Sequence, residues 1–301
     1  MLGHSPEEPA TRQLDFSVVI PCYNEESAIE STLLNLDECL RASGPHEVLV
    51  VDDGSTDRTA EILAARARQD AGLRVVRHPR NLGYGAALKT GIRRAHGEHI
   101  VIIDADGTYP YDRVPDLLRE ADSADMVVGA RTGENVSYSF IRRIPKLFLK
   151  AYMSWLAGQE IPDMNSGLRV FRRSAAERFL SLLPDSFSFT TTITLAMLRR
   201  HYDVRFVSID YSGRVGKSKI KPVRDTLRFA QLILRTGMYF APLRVLLPLA
   251  GVLFLVFCAF LIYDITVLRN LTDKSILLLT SCMNVAIFAL LADMIDKRGS
   301  G

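Results

Sequence analysis

Residues 245–263 and 275–292 are two neighbouring stretches without a single charged side chain, dominated by Leu, Val, Ile, Phe and Ala. Each is about the length needed to cross the ~30 Å hydrocarbon core of a bilayer. A helix in a soluble core normally keeps a polar face, so two membrane spans describe these stretches better than two core helices. The connector at 264–274 is short, which makes the spans a hairpin with both ends on one side. Arg224, Arg228, Arg235 and Arg244 precede the first span, and Lys297 and Arg298 follow the second; the connector holds only Arg269 and Lys274. The bias of Lys and Arg toward the cytoplasmic side then places the long N-terminal part in the cytoplasm. The expectation is a multi-pass protein of an inner or equivalent membrane.

The remaining part of the 301 residues is long enough for one large domain, and the net charge of +3 says little by itself. Cys22, Cys39, Cys258 and Cys282 are scattered and show no metal-ligand spacing. That fits a reduced, cytosol-facing protein without a disulfide framework. The opening MLGHSPEEPATRQ has no apolar core of a signal peptide and reads as a flexible leader.

Along the N-terminal part, short apolar runs alternate with helical patterns. Strands are expected at 16–20 (FSVVI, ending at Pro21), 47–51, 73–77, 100–103 and 126–129. Helices are expected at 26–40, where Ile29, Leu33, Leu36 and Leu40 recur at helical spacing, at 59–68 after the turn cluster DDGSTD, and at 86–95 after the glycine-bearing loop 81–85. Continuous apolar strands alternating with helices imply an α/β domain with a parallel sheet covered on both faces. Ligands on such sheets bind beyond the carboxyl ends of the strands. Three polar segments, PCYNEE, DDGSTD and DADG, each begin where a strand ends, so they converge on one sheet edge.

Asp104 and Asp106 stand two residues apart directly after the fourth strand. Two carboxylates at the end of a buried strand are costly unless their charge is offset. A divalent cation carrying a diphosphate would offset it, and carboxylate oxygens suit Mg²⁺ or Mn²⁺. The plainer alternative is a turn with two solvated aspartates.

Beyond residue 140 the pattern is less regular. Helices are expected at 145–157 and 188–200 and a strand at 204–211, with a loop at 163–167 before the apolar run 168–171. Then comes a basic stretch, Arg214, Lys217, Lys219, Lys221, Arg224 and Arg228, opposed only by Asp225. Arg224, Arg228 and Arg235 share one helical face, which suits a helix in the headgroup plane before the first span. The expected organisation is a leader (1–15), a catalytic domain (16–213), a basic juxtamembrane segment (214–241), a two-span hairpin (242–296) and a tail (297–301).

PCYNEE, VDDGSTD, NLGYGAALKTG, DADGTYP and VGAR, in this order, resemble the family 2 glycosyltransferases of GT-A fold. NSGLRVFRR, YSGRVGKSKIKP and the hairpin resemble, within that family, the polyprenyl-phosphate hexose synthases, which include GtrB-like glucosyltransferases and dolichyl-phosphate mannose synthases. The resemblance spans residues 16 to about 296. It implies a GT-A nucleotide-sugar-binding domain with a mostly parallel sheet, followed by an interfacial helix and a transmembrane hairpin. By this resemblance Pro21, Tyr23, Glu25, Asp52 and Asp53 hold the nucleoside, although Tyr23 could equally be a packing ring and Glu25 a helix-cap carboxylate. Asp104 and Asp106 hold the metal on the diphosphate.

The implied acceptor is a lipid phosphate, already an anion at neutral pH, so no strong general base is required. Two anions must approach one anomeric carbon, and guanidinium groups and metal offset their repulsion. Arg131 and Arg214 are the foremost candidates, with Arg142 or Arg143, Lys217 and Lys219 beside them. Asp163 matches an acidic loop near the sugar and would position the donor hexose, act as a base, or merely cap a helix. Two departures stand out. Gly107-Thr108-Tyr109 lacks a glutamine that several mannose synthases place after the aspartates. Phe189-Thr190-Thr191-Thr192 stands where many family 2 enzymes carry an acid.

The implied activity is metal-dependent, inverting transfer of a hexose, glucose first, from UDP-glucose or GDP-mannose to polyprenyl phosphate. Mannose transfer is the alternative. A processive polysaccharide synthase would carry a Q-x-x-R-W segment, which the only tryptophan, Trp155, does not have around it. A catalytically silent scaffold binding lipid or nucleotide sugar is the reading from another class; the intact Asp104, Asp106 and GKSK stretch argue against it. The partners are the donor, the lipid and the bilayer, with no nucleic acid. A two-span hairpin also favours a homo-oligomer.

Overall fold

The computed structural model describes residues 14–132, 143–211, 234–235, 237–239 and 241–298. It divides into two units, Met1–Lys150 with Ile161–Ser218, and Ala151–Glu160 with Lys219–Gly301.

The first unit is built on a sheet of seven strands: β1 (Phe16–Cys22), β2 (His46–Asp52), β3 (Leu73–Arg77), β4 (His99–Ile102), β5 (Met126–Ala130), β6 (Arg169–Arg172) and β7 (Val204–Ser208). Their order is β3-β2-β1-β4-β6-β5-β7. All neighbours are parallel except β6, which runs antiparallel between β4 and β5. The helices are α1 (Ile29–Leu40), α2 (Thr59–Gln69), α3 (Tyr84–Arg94), α4 (Val114–Ala121, after a 3-10 turn at Tyr111–Arg113), α5 (Arg143–Ala157, whose residues from Ala151 on belong to the second unit), α6 (Arg173–Glu177) and α7 (Phe189–Arg199).

Alternation along the buried strands sorts the helices onto two faces. Val18, Ile20 and Val50 pack in one cluster with Leu33, Leu36 and Leu40 of α1 and Val114 and Leu117 of α4. Leu49 and Val51, of opposite parity on β2, pack with Ala87 of α3. Pro21 lies inside β1, where the sequence suggests an end. The ladder toward β4 has finished at Val19 and Ile102, and only the β2 side continues, pairing Pro21 with Val51. A missing N–H is tolerated where one neighbour is absent.

β2, β1 and β4 are adjacent, so the three polar segments that follow them sit side by side at their carboxyl ends. Two of them are stapled together. The Thr56 N–H donates to Asn24 Oδ1 (2.8 Å), and the Asn24 N–H donates to Ser55 Oγ (3.0 Å). Asn24 adopts the left-handed conformation, φ +53°, which asparagine tolerates better than most residues.

In the second unit, α8 (Pro242–Tyr263) continues into a π-helical turn at Asp264–Leu268, and α9 (Asp273–Arg298) returns. These helices have the length and composition of membrane spans, with mean hydropathies of 2.9 and 2.2 over an 18-residue stretch of each. Their apolar side chains, such as Leu255, Ile262 and Leu277, point away from protein, a surface that lipid would cover. Asp264 closes the hairpin. Its carboxylate accepts from the Thr272 N–H (2.9 Å), the Thr272 hydroxyl (2.7 Å) and the Ser275 hydroxyl (2.7 Å). That satisfies donors at the start of α9 that lipid could not. In the same unit the Arg244 guanidinium donates to the carbonyls of Trp155 and Leu156, where a cation complements the C-terminal end of a helix.

Candidate active site

Asp104 and Asp106 follow β4 after one residue, Ile103. Asp104 Oδ1 accepts from the Tyr84 hydroxyl at 2.9 Å, and α3 supplies Tyr84 from its first residue. Burial first, and then the neighbouring charge of Asp106, push the Asp104 carboxyl up to about 6, against the opposing effects of Tyr84, Arg131 and Arg169. Asp106 Oδ1 accepts from the Thr108 hydroxyl at 2.7 Å, across the left-handed turn at Gly107. The pair is therefore a strained anionic site: each carboxylate has protein donors, yet the two charges repel at close range.

A second loop closes on this pair. Gly167 packs so tightly against Asp104 that an added Cβ would lie 2.3 Å from its Oδ2. The Gly167 N–H donates to the Tyr109 hydroxyl oxygen (2.6 Å), and the Ser166 hydroxyl to the Gly129 carbonyl (2.5 Å). Four residues before Gly167, Asp163 grips Arg131, which follows β5. Arg131 Nε and Nη2 donate to the two carboxylate oxygens at 2.7 and 3.0 Å, and its backbone N–H adds a third bond at 3.1 Å. The guanidinium also lies 5.1 Å from the Tyr211 ring centroid, within cation–π range. Burial works against ionisation of Asp163, but the Arg131 bonds outweigh it and hold the carboxyl below its usual range. A carboxylate held that firmly ionised is a weak proton acceptor.

On the nucleoside side, Asp52 and Asp53 are buried at the end of β2. They have different surroundings. Asp53 is committed to the protein: its oxygens accept from the N–H groups of Leu82 (2.9 Å) and Gly83 (2.8 Å), and His78 Nδ1 lies 2.7 Å away. Asp52 Oδ1 accepts from the Ser55 N–H (2.9 Å), while Oδ2 makes no hydrogen bond and faces Arg77 Nε at 3.1 Å as an ion pair. Pro21 is buried, and Tyr23 and Glu25 are half-buried in the bend after β1. The Glu25 N–H donates to Thr59 Oγ1 (3.0 Å), and its carbonyl accepts from Ala28 and Ile29 at the start of α1.

Arg142, Arg214, Lys217 and Lys219 lie outside the described residues, and Arg143 opens α5. Among the described residues no three His, Cys, Asp or Glu side chains form a metal cage. Two carboxylates are what a Mg²⁺- or Mn²⁺-type site uses when diphosphate oxygens and water complete the shell, so Asp104 and Asp106 fit such an ion. The sequence alone assigns no role to Tyr84, Tyr109, Gly167 or Arg169. Only Arg169 carried a signal there, as a charge inside the apolar run 168–171.

Residues 17–180 match the family model described as Glycosyl transferase family 2. The chain belongs to this family. Residues 241–297 of the transferase match the GtrB C-terminal hairpin. It is 32% identical over 249 residues to the undecaprenyl-phosphate 4-deoxy-4-formamido-L-arabinose transferase of Pseudomonas aeruginosa (strain LESB58), covering 80% of this chain and 72% of the relative. It is 26% identical over 238 residues to the dolichyl-phosphate beta-glucosyltransferase of Dictyostelium discoideum, covering 73% and 72%. Its fold is that of glucosyl-3-phosphoglycerate synthase from Mycobacterium tuberculosis, solved with Mn²⁺, UDP and glucosyl-3-phosphoglycerate: TM-score 0.57, 22% identity, covering 79% of this chain and 85% of that one.

Proposed function

We propose that this transferase moves a sugar, glucose foremost, from a nucleoside-diphosphate donor to polyprenyl phosphate at the cytoplasmic face of a membrane. The observation that carries the reading is the Asp104–Asp106 pair at the carboxyl end of β4, closed over by the loop that holds Arg131 to Asp163. The hairpin match and the two relatives with lipid-phosphate acceptors in their names support the acceptor. Those names differ in the sugar, an arabinose derivative in one and glucose in the other, so a formamido-arabinose donor is the second reading; GDP-mannose follows it. The basic side chains on both outer flanks of the hairpin support the cytoplasmic orientation.

In this reading Asp104 and Asp106 hold a divalent cation, and that ion, when bound, neutralises the diphosphate leaving group. Tyr84 would fix the Asp104 carboxylate through its hydrogen bond. Asp52, buried and paired with Arg77, and Asp53, which ties down the loop at Leu82 and Gly83, would shape the floor of the nucleoside site. Arg131 supplies positive charge where the two anions converge, and Asp163 fixes its plane. With its proton affinity lowered, Asp163 serves to orient Arg131 and sugar hydroxyls; the phosphate oxygen of the acceptor attacks without a base. Arg214, Lys217 and Lys219 lie next in sequence toward the spans and would meet that phosphate.

The test is nucleoside diphosphate release by the purified full chain in nanodiscs, with undecaprenyl phosphate and, in turn, UDP-glucose, UDP-4-deoxy-4-formamido-L-arabinose and GDP-mannose. One donor is expected to turn over only with the lipid present and only with Mg²⁺ or Mn²⁺. Turnover unchanged in EDTA would remove the metal; no lipid-dependent release from any donor would remove the reading.

A further inference from the structure

Arg169 is the largest fully buried side chain among the described residues. It stands on β6 between Leu168 and Val170, its backbone paired with Ile102 on one side and Val128 on the other. A guanidinium withdrawn from water in the middle of a sheet is costly unless its donors are matched. Here they are matched by uncharged oxygens: Nε and Nη2 donate to the Ser166 carbonyl (3.2 and 2.6 Å), and Nη1 to the Thr190 carbonyl and Thr194 Oγ1 (3.1 Å each). The carboxylates that favour its charge are Asp163 and Asp104, acting over distance. A leucine or methionine would fill this volume without the desolvation cost, so the planar fork is there for what it joins.

It joins two elements. One is the turn 163–167, which bears Asp163 on Arg131 and Gly167 against Asp104. The other is the first two turns of α7, which also reach the turn through Thr191 Oγ1, a donor to Asn165 Oδ1 at 2.6 Å. We propose that Arg169 is a positioning residue for transfer: its guanidinium bolts the 163–167 turn to α7 and so sets both Gly167 against Asp104 and Asp163 against Arg131, without touching substrate. As a statement about transfer it rests on the function proposed above; as a statement about the turn it does not.

Full-length wild type, Arg169→Met, Arg169→Lys and Thr194→Val in nanodiscs test it by hydrogen exchange and steady-state kinetics. Arg169→Met is expected to speed amide exchange at 163–167 while β1, β2 and β4 stay protected. Its kcat should fall about a hundredfold, as for a misplacement on the order of an ångström, with the donor KM within about threefold. Arg169→Lys, which keeps the charge and reaches part of the carbonyl set, should recover at least about tenfold of the lost kcat. If Arg169→Met fails to fold, Thr194→Val carries the test, with a smaller kcat loss at constant KM. Unchanged exchange at 163–167, unchanged kcat in Thr194→Val, or a folded Arg169→Lys no better than Arg169→Met would each overturn the proposal. Should wild type transfer no sugar from any of the three donors, the function falls, and exchange at 163–167 alone decides what Arg169 does.

Discussion

At the scale of single residues, Asp104 is where folding and function pull apart. Burial and Asp106 raise its carboxyl to about 6, so the ionised form present at neutral pH works against the folded state. That penalty is absent below the unfolded carboxylate value, sets in as pH rises through about 6, and is complete above it. Asp104→Asn is therefore expected to raise the melting temperature of the metal-free protein at pH 7.5 while lowering transfer at least about a hundredfold, near 3 kcal/mol of barrier. Mn²⁺ should raise the melting temperature of wild type and leave that of the variant unmoved. A variant that melts lower than wild type without metal would show that the site carries no such strain. Arg131 offers a separate check. Its fork meets Asp163 through two side-chain nitrogens, a geometry that lysine cannot reproduce. Arg131→Lys should keep the fold and lose on the order of tenfold or more in kcat, measured as diphosphate release.

At the scale of elements, a close approach and a buried carboxylate decide more than propensity does. Gly167 is needed because Asp104 occupies the space of a Cβ. Gly167→Ala should weaken Mn²⁺ binding, read by calorimetry, with far-UV dichroism unchanged; normal Mn²⁺ affinity would mean that the loop moves aside freely. At the opposite end of the sheet, Glu47 ties β2 to β1 and β3. It accepts from the Ser17 hydroxyl (2.7 Å) and the His96 N–H (2.7 Å) and pairs with Arg74. Burial opposes ionisation, but these bonds outweigh it and hold the carboxyl below its usual range. Its stabilisation is thus complete above about pH 4.3, the unfolded value, and is lost as pH falls through the lower folded one. Glu47→Gln should cost most stability at neutral pH, the gap to wild type closing below about pH 4 in denaturant titrations; a gap independent of pH would refute the linkage.

At the scale of the molecule, the two units divide the labour. The first carries the anionic site on a rigid sheet edge, and the second presents an apolar hairpin that needs lipid. If the hairpin crosses the bilayer with its basic flanks in the cytoplasm, single cysteines at Arg269 and at Lys297, in a background without the native ones, should react from opposite sides of sealed vesicles. Arg269→Cys should label from the outside of intact cells with a charged maleimide, and Lys297→Cys only in inverted vesicles. Labelling of both from one side would show that the hairpin does not span.

Much of this was legible in the chain, because it rests on local or repetitive physics. Continuous apolar runs ended by PCYNEE, DDGSTD and DADG were sufficient for a sheet with its polar loops on one edge. The length and apolarity of residues 245–263 and 275–292 were sufficient for the hairpin. The Asp104–Asp106 spacing was sufficient to put a carboxylate pair at the end of a buried strand. What only the tertiary structure decided were relations between residues far apart in sequence. The antiparallel insertion of β6 between β4 and β5 cannot be read from the run 168–171, since its period does not encode direction. Nor can the different fates of Asp52 and Asp53, identical and adjacent, which depend on what α3 and β3 bring beside them. Tyr84 meets Asp104 across 20 residues and Asp163 meets Arg131 across 32; partners of that kind are chosen by packing, which no local pattern records.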